Sequence, residues 1–314
     1  MNREDVVVNG FLGLNKASGM TSMDVVRVVK RLTGMRKRVG HGGTLDPLAE
    51  GVLPICFGQG TRLMEYLINK TKEYSMTIRL GVETDTYDAE GVVVEERDAS
   101  GITKEDVEIA IRSFRGTFLQ KPPMHSALKK NGQRLYTLAR KGVEVELEPR
   151  QVEVYSLTVE SFEDCFVTIR VECGRGMYMR SLAHDLGQAL GCGAHASNLI
   201  REKAGPFVLE ETVTIEQLEE ASECGRWQQL LKPMDLPVLH LKSIVVGSGA
   251  EKYLRNGQPV SLGHRGLYAG HLESHRAYSE DGRFLGVIRF DRPQNIWGPV
   301  KLFRTAEPSP FAPK

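Results

Sequence analysis

Gly40-His41-Gly42-Gly43-Thr44-Leu45-Asp46-Pro47-Leu48-Ala49-Glu50-Gly51-Val52-Leu53-Pro54 is the stretch on which the reading of this chain turns. Gly40, Gly42 and Gly43 cost backbone entropy, so they belong where the chain needs unusual φ/ψ or must let something approach closely. Pro47 removes an N–H and fixes its own φ, and it biases Asp46 toward extended backbone. The segment reads as a shaped loop that holds out an imidazole, His41, and then a carboxylate, Asp46. Taken alone, an Asp-Pro pair is most often a turn, and a lone histidine is most often structural. No second acid is expected within reach of Asp46 along the chain. That disfavours paired-acid hydrolysis, which needs two acids flanking the bond.

Working outward, Phe11-Leu12-Gly13-Leu14 reads as a short strand leading to Lys16. Ser22 is placed to cap a helix through Leu32, with Val25, Val28, Val29 and Leu32 on one face and Gly34 at its end. Beyond the loop, Tyr74, Met76, Ile78 and Leu80 alternate with Ser75, Thr77 and Arg79, the pattern of a half-buried strand. An acidic turn follows at residues 84–91. Thr103 with Asp106, and Thr214 with Gln217, mark further helix starts. Residues 165–173 alternate as a strand, and a helix is predicted from Arg180 to Leu190, stopped by Gly191. Beyond Leu236 short strand candidates (239–246, 284–290, 300–303) alternate with turns around one short helix, 249–254. The end, Glu307-Pro308-Ser309-Pro310, reads as a loose tail.

Length and composition fit a two-domain folded protein: 314 residues, 41% hydrophobic and 26% charged. No apolar run approaches a membrane span, and residues 1–8 do not resemble a signal peptide. Cysteines 56, 165, 173, 192 and 224 form no Cys-x-x-Cys pair, so neither a disulfide framework nor a zinc site is indicated. A reducing cytoplasm is the simplest home. Cys192 and His195 lack further metal-ligand partners and read as structural. Net charge is only +1, but its distribution is uneven. Residues 27–38 hold six basic side chains and no acid, and residues 121–142 hold six more, again with no acid. The balancing acids cluster at 83–108 and 210–223. Such polarisation suits a polyanionic partner. The second basic segment contains Pro122-Pro123 and the turn signal Asn131-Gly132, and reads as a protruding insertion.

Arg180 sits at the start of its predicted helix, where the macrodipole disfavours a cation. A carboxylate partner would offset that, and Asp46 is the candidate. A free aspartate is already ionised at neutral pH, so the arginine would serve to keep a desolvated Asp46 charged and aimed. Tyr74 and Tyr178 read either as core tyrosines or as stacking rings carrying an acid/base hydroxyl, and Lys16, a lone lysine after a strand, reads as solvated or as able to hold a phosphate.

Taken together these motifs resemble those of the TruB family, the bacterial tRNA pseudouridine-55 synthases. The resemblance runs in order through residues 10–210: Lys16 to Ser22; residues 40–54; Lys72-Glu73-Tyr74; Leu80-Gly81 through Thr84-Asp85-Thr86-Tyr87-Asp88; Pro122-Pro123 through Lys129 and on to Arg140; Gly176 through Arg180-Ser181-Leu182 to Gly187; and Gly191-Cys192-Gly193-Ala194-His195. It implies an α+β fold, a mixed and largely antiparallel sheet flanked by helices. A small β-rich C-terminal domain resembles a PUA domain through Ala250, Leu254 and residues 256–260. Residues 1–236 would form the catalytic domain, with an RNA-gripping insertion at about 121–150, and residues 237–314 the PUA-like domain.

The resemblance further implies Asp46 as nucleophile, Arg180 as its ion-pair partner and Tyr74 as stacking and acid/base group. His41 would contact the substrate loop, Lys16 and Tyr178 would support the site, and Lys129, Lys130 and Arg134 would contact RNA. Ala17 stands where the family usually has proline, and His125 where tyrosine is common. Arg201-Glu202-Lys203 replaces a more basic segment, a departure read as affecting RNA contact. The implied activity is isomerisation of uridine-55 in the tRNA T-loop by base flipping and covalent catalysis, with no cofactor or metal. A cytoplasmic monomer without a protein partner is expected. Two rivals remain: a guide-dependent synthase, which would lack the basic insertion, and a non-enzymatic RNA-binding or tRNA-folding protein on the same scaffold.

Overall fold

The computed structural model describes residues 8–126, 128–130, 132–139, 143, 145–263 and 269–313, with only the backbone of 129, 130, 134, 136 and 139. In chain order the strands are β1 (Gly10–Lys16), β2 (Val39–His41), β3 (Glu50–Phe57), β4 (Lys72–Leu80), β5 (Val82–Thr84), β6 (Val93–Glu96), β7 (Gly116–Gln120), β8 (Lys129–Lys130), β9 (Gln133–Arg134), β10 (Arg150–Glu163), β11 (Phe166–Cys173), β12 (Ala194–Ala204), β13 (Phe207–Val208), β14 (Lys242–Val246), β15 (Ser274–Ser279), β16 (Phe284–Asp291) and β17 (Ile296–Leu302). The helices are α1 (Ser22–Thr33), α2 (Met64–Ile68), α3 (Lys104–Ala110), α4 (Leu135–Ala139), α5 (Met179–Ala189), α6 (Ile215–Glu223) and α7 (Ser248–Arg255).

The main sheet has the order β1-β3-β12-β4-β11-β10-β7, with β2 on β3 and β13 on β12. Its neighbours run antiparallel except for β3 and β12, which are parallel. The α+β fold with a mixed, largely antiparallel sheet is therefore as the sequence implied. A second sheet, β14-β15-β16-β17, makes the C-terminal region β-rich, also as expected.

β4 carries the alternation read from its sequence: Tyr74, Met76, Ile78 and Leu80 are buried. Paired β11 does the same with Val167, Ile169, Val171 and Cys173. β3 is different, because its apolar run is buried on both faces. Leu53, Ile55 and Phe57 enter the main core with Val25, Val26 and Val29 of α1. Val52 and Cys56 face the other way, into a cluster with Phe207, Val238, Tyr278 and Phe284 that joins the two sheets. The strand beside the candidate loop is thus clamped from two sides.

Four expectations need correction. Thr21, not Ser22, caps α1: its backbone is extended, its hydroxyl accepts from Asp24 N, and Asp24 closes the capping box. Residues 239–241 do not join the first C-terminal strand, because a 3₁₀ turn at Leu236–Val238 precedes it. β15, Ser-His-Arg-Ala-Tyr-Ser, has no apolar alternation and gave no strand signal, yet it is central in its sheet. The C-terminal tail is also not loose as far as Ala312. Ser309 donates its hydroxyl to the fully buried Asp235 carboxylate (2.6 Å), which also accepts from Tyr278 (2.6 Å). The Ser309 amide bonds Gly282 (2.9 Å). A buried carboxylate needs such donors, and the tail supplies one.

Candidate active site

The loop after β2 is held almost carbonyl by carbonyl. Arg201 of β12, 1% exposed, donates to the carbonyls of Gly43 and Thr44 (both 3.2 Å) and of Val52 (2.7 Å). The Ser22 hydroxyl donates to Leu45 O (2.9 Å) and accepts from Leu45 N (2.8 Å). Asp46 O accepts from Ala49 N (3.1 Å). Pro47 O accepts from Lys16 Nζ (3.0 Å) and Gly19 N (2.9 Å), and Leu48 O from the Ser18 hydroxyl (3.1 Å). Residues 43–48 therefore present a run of satisfied carbonyls, which fixes the path of this partly buried loop. Gly51 makes the closest approach possible: its φ is 95°, and a Cβ there would run into the Arg201 carbonyl.

This frame presents Asp46, whose side chain is one-third exposed, to Arg180, whose side chain is 5% exposed. The contact is bidentate, Nε to Oδ2 at 2.9 Å and Nη2 to Oδ1 at 3.0 Å. Arg180 Nη1 donates to Asp88 Oδ2 and Thr86 O (both 3.0 Å), and Nη2 also donates to His125 O (2.8 Å). All five guanidinium protons are thus directed, so the planar fork holds Asp46 at one angle.

Asp88 is a residue that sequence reasoning missed. The expectation of a solitary carboxylate is corrected by the tertiary fold, which brings this second, buried acid onto the same arginine. Its other oxygen accepts from Thr86 Oγ1 (2.6 Å) and Glu90 N (3.1 Å). Of the two acids bonded to Arg180, Asp46 is the one left partly open to a ligand; the exposed Glu90 carboxylate also lies within range of the Asp46 charge.

Lys16 lies against the site as a buried brace, and is neither solvated nor free to hold a phosphate. It is fully buried, and its three amine protons go to the carbonyls of Ala17 (2.9 Å), Met20 (2.7 Å) and Pro47 (3.0 Å). No proton remains for a phosphate. Burial lowers its pKa to about 8, against the opposing pull of Asp46. Lys16 therefore braces the loop from below rather than gripping substrate.

Tyr74 is 8% exposed. Burial raises its hydroxyl pKa, the Arg201 guanidinium beside it opposes that rise, and the Asp46 charge adds to it. Tyr74 and Arg201 are register partners on neighbouring strands. Arg201, read from the sequence as a departure in RNA contact, is thus an internal strut linking β12, the Asp46 loop and Tyr74. Nothing in the local sequence marked it.

Tyr178 precedes α5. Its backbone N–H and C=O are both engaged by the buried Gln120 side chain (2.9 and 3.0 Å). Burial also raises the Tyr178 hydroxyl pKa. His41 ends β2 opposite Ile55, half-buried, and burial lowers its pKa, favouring the neutral ring. Lys121 O accepts from Ser181 (2.9 Å), tying the root of the basic segment to α5. The side chains of Lys129, Lys130 and Arg134, and all of Asn131 and Arg140, lie outside the described residues. In the first basic run, Arg31, Arg36, Lys37 and Arg38 are exposed, at the end of α1 and before β2.

A family model described as TruB family pseudouridylate synthase (N terminal domain) matches residues 30–179, and one described as tRNA pseudouridylate synthase B C-terminal domain matches residues 180–239. The chain is 42% identical over 296 residues to a tRNA pseudouridine synthase B of Dehalococcoides mccartyi, covering 94% of this chain and 97% of that one. It is 42% identical over 283 residues to the tRNA pseudouridine synthase B of Pseudomonas aeruginosa, covering 89% and 91%. Its fold matches a chain in the crystal structure of a Cbf5-Nop10-Gar1 complex with a TM-score of 0.70 and 24% identity, over 98% of this chain and 88% of that one. The chain belongs to the TruB family of pseudouridylate synthases.

Proposed function

We propose that this protein is a tRNA pseudouridine synthase that converts uridine-55 of the T-loop, with Asp46 as covalent catalyst. One observation carries the reading: a partly open carboxylate, Asp46, is clamped by a buried and fully engaged arginine, and its charge reaches the buried Tyr74 hydroxyl. The base must first leave its stack to reach such a site. Tyr74 then offers a ring face and a hydroxyl, and Asp46 attacks the nucleoside. The N1–C1′ bond breaks, the base turns, and a C5–C1′ bond forms. The C5 proton departs and N1 gains one, so nothing is consumed.

In this reading His41 and Tyr178 line the approach, and Lys129, Lys130 and Arg134 grip phosphates. Residues 1–236 form the catalytic domain, and 237–314 a PUA-like domain that extends the RNA surface. Separate main and C-terminal sheets support that division. The basic insertion and the bacterial relatives favour free tRNA over a guided substrate. We place the enzyme in the cytoplasm as a monomer, where tRNA is found.

The test is incubation with unmodified tRNA and mapping of pseudouridine position by position, for the unsubstituted protein and Asp46→Asn. Product at position 55 alone, and none with the substituted enzyme while tRNA binding persists, is the expected result. Measurable turnover by Asp46→Asn would overturn the assignment.

A further inference from the structure

Tyr87 lies between Thr86 and Asp88, the two residues that meet Arg180 Nη1. Its φ is 63°, in the left-handed region that a bulky side chain seldom occupies. That conformation folds the chain back, so that the carbonyl of Thr86 and the carboxylate of Asp88 converge on one nitrogen. Strain of this kind persists only where neighbours enforce it. The backbone is enforced by Tyr87 N to Thr84 O (3.1 Å), Ala196 N to Tyr87 O (3.0 Å) and Ala89 N to Ala196 O (3.0 Å).

The Tyr87 ring stacks on His184 with centroids 4.0 Å apart and planes 13° from parallel. His184 is four residues after Arg180 on α5, hence on the same helix face. Its Nδ1 lies 3.9 Å from Glu83, which is itself fixed by Gln188 (2.6 Å) and Arg97 (3.0 Å). Both stacked rings are only half-buried, so the stack is a local fastening rather than part of the main core. It joins the turn that grips Arg180 to the helix that carries Arg180.

We propose that Tyr87 and His184 are a positioning pair: their stack holds the turn at residues 84–91 in register with α5 and, through Asp88 and Thr86, fixes the angle at which Arg180 presents Asp46. The proposal rests on the reading of Asp46 as the covalent catalyst. Displacement of a catalytic group by about 1 Å can cost ~100-fold in rate, so a ring contact one step removed has leverage on the reaction without touching substrate.

The test uses the full chain, unmodified tRNA, single-turnover rates and tRNA binding. His184→Ala and Tyr87→Gly are expected to slow the reaction about tenfold or more, with tRNA Kd changed less than about twofold, the pattern of a lost transition-state effect. Tyr87→Phe and His184→Phe keep a stack and are expected to stay within about threefold of the unsubstituted rate, given the comparable worth of aromatic pairs. Tyr87→Gly relieves the strained φ. A full rate in that variant would show that the turn alone suffices, and would overturn the proposal. Phenylalanine variants as slow as His184→Ala would also overturn it. In an Asp88→Asn background, His184→Ala is expected to cost less than about twofold, because coupled sites are non-additive; a second full loss would count against it. Asp46→Asn is measured alongside. Turnover by that variant sinks the nucleophile reading, whereas an inactive Asp46→Asn with an unimpaired His184→Ala sinks the positioning pair alone.

Discussion

The loop at residues 40–54 and the basic segment at 121–150 are built on opposite principles. The loop is short of charge and rich in fixed bonds: its carbonyls from 43 to 48 accept from Arg201, Ser22, Ala49, Lys16, Gly19 and Ser18. The basic segment is rich in charge, and among its described residues Lys121 O accepts from Ser181 and His125 O from Arg180. Covalent chemistry needs an oxygen held to a fraction of an ångström. Attraction of a phosphate backbone needs mainly charge in the right region. Substitutions in the two regions are therefore expected to separate rate from affinity.

The largest separation is expected from Asp46→Asn, with product formation lost and tRNA affinity kept. Next comes Arg201→Met. It leaves the carbonyls of Gly43, Thr44 and Val52 without their donor, each such loss costing about 1–3 kcal/mol. We expect a clear fall in Tm together with a kcat loss of ~10–100-fold, the range that small misplacements give. Calorimetry and single-turnover kinetics check the two together, and an unchanged Tm would mean that Arg201 is not a strut. Charge reversal at Lys129, Lys130 and Arg134 should do the reverse. Tm stays put, Kd weakens, and the slope of log K against log salt flattens by about 2–3, at ~0.7–0.9 per phosphate contact. An unchanged slope would take the grip away from this segment.

The same contrast explains what the sequence made legible. The basic segment announces itself by composition, because charge needs no partner to be read. The α1 and β4 patterns, Gly34 and the capping boxes at Thr103 and Thr214 were local and therefore visible. The family motifs named Asp46, Arg180 and Tyr74; the fold pairs Asp46 with Arg180 and leaves Tyr74 within range of the Asp46 charge. The supports of that site were not legible. Arg201, Ser22 and Asp88 act across 157, 23 and 92 positions, on Thr44, Leu45 and Arg180 respectively. Lys16 looked like a solvated or phosphate-binding lysine, because nothing local tells that its three protons have already been used. β15 escaped because its burial comes from position within its sheet and not from its composition.

The smallest expected effect tests the loop from beneath. Burial holds Lys16 and Lys72 at a pKa of about 8, whereas an unfolded lysine titrates near ~10.4. Between those values the unfolded chain binds more protons, so these groups make stability rise with pH across the window. Activity should move the other way. Above about pH 8 the Lys16 amine keeps two protons for three carbonyls, and one of them, Pro47 O, adjoins Asp46. We therefore expect kcat to decline a few-fold between about pH 7.5 and 9.5, in keeping with the loss of one supporting hydrogen bond. Lys16→Met isolates the effect from other titrations. It should be slower at pH 7 and lack the alkaline decline, and the Tm advantage of the unsubstituted protein over it should grow with pH. An alkaline decline that persists in Lys16→Met would assign it to another group, and would leave Lys16 as a brace whose charge does not matter to the reaction.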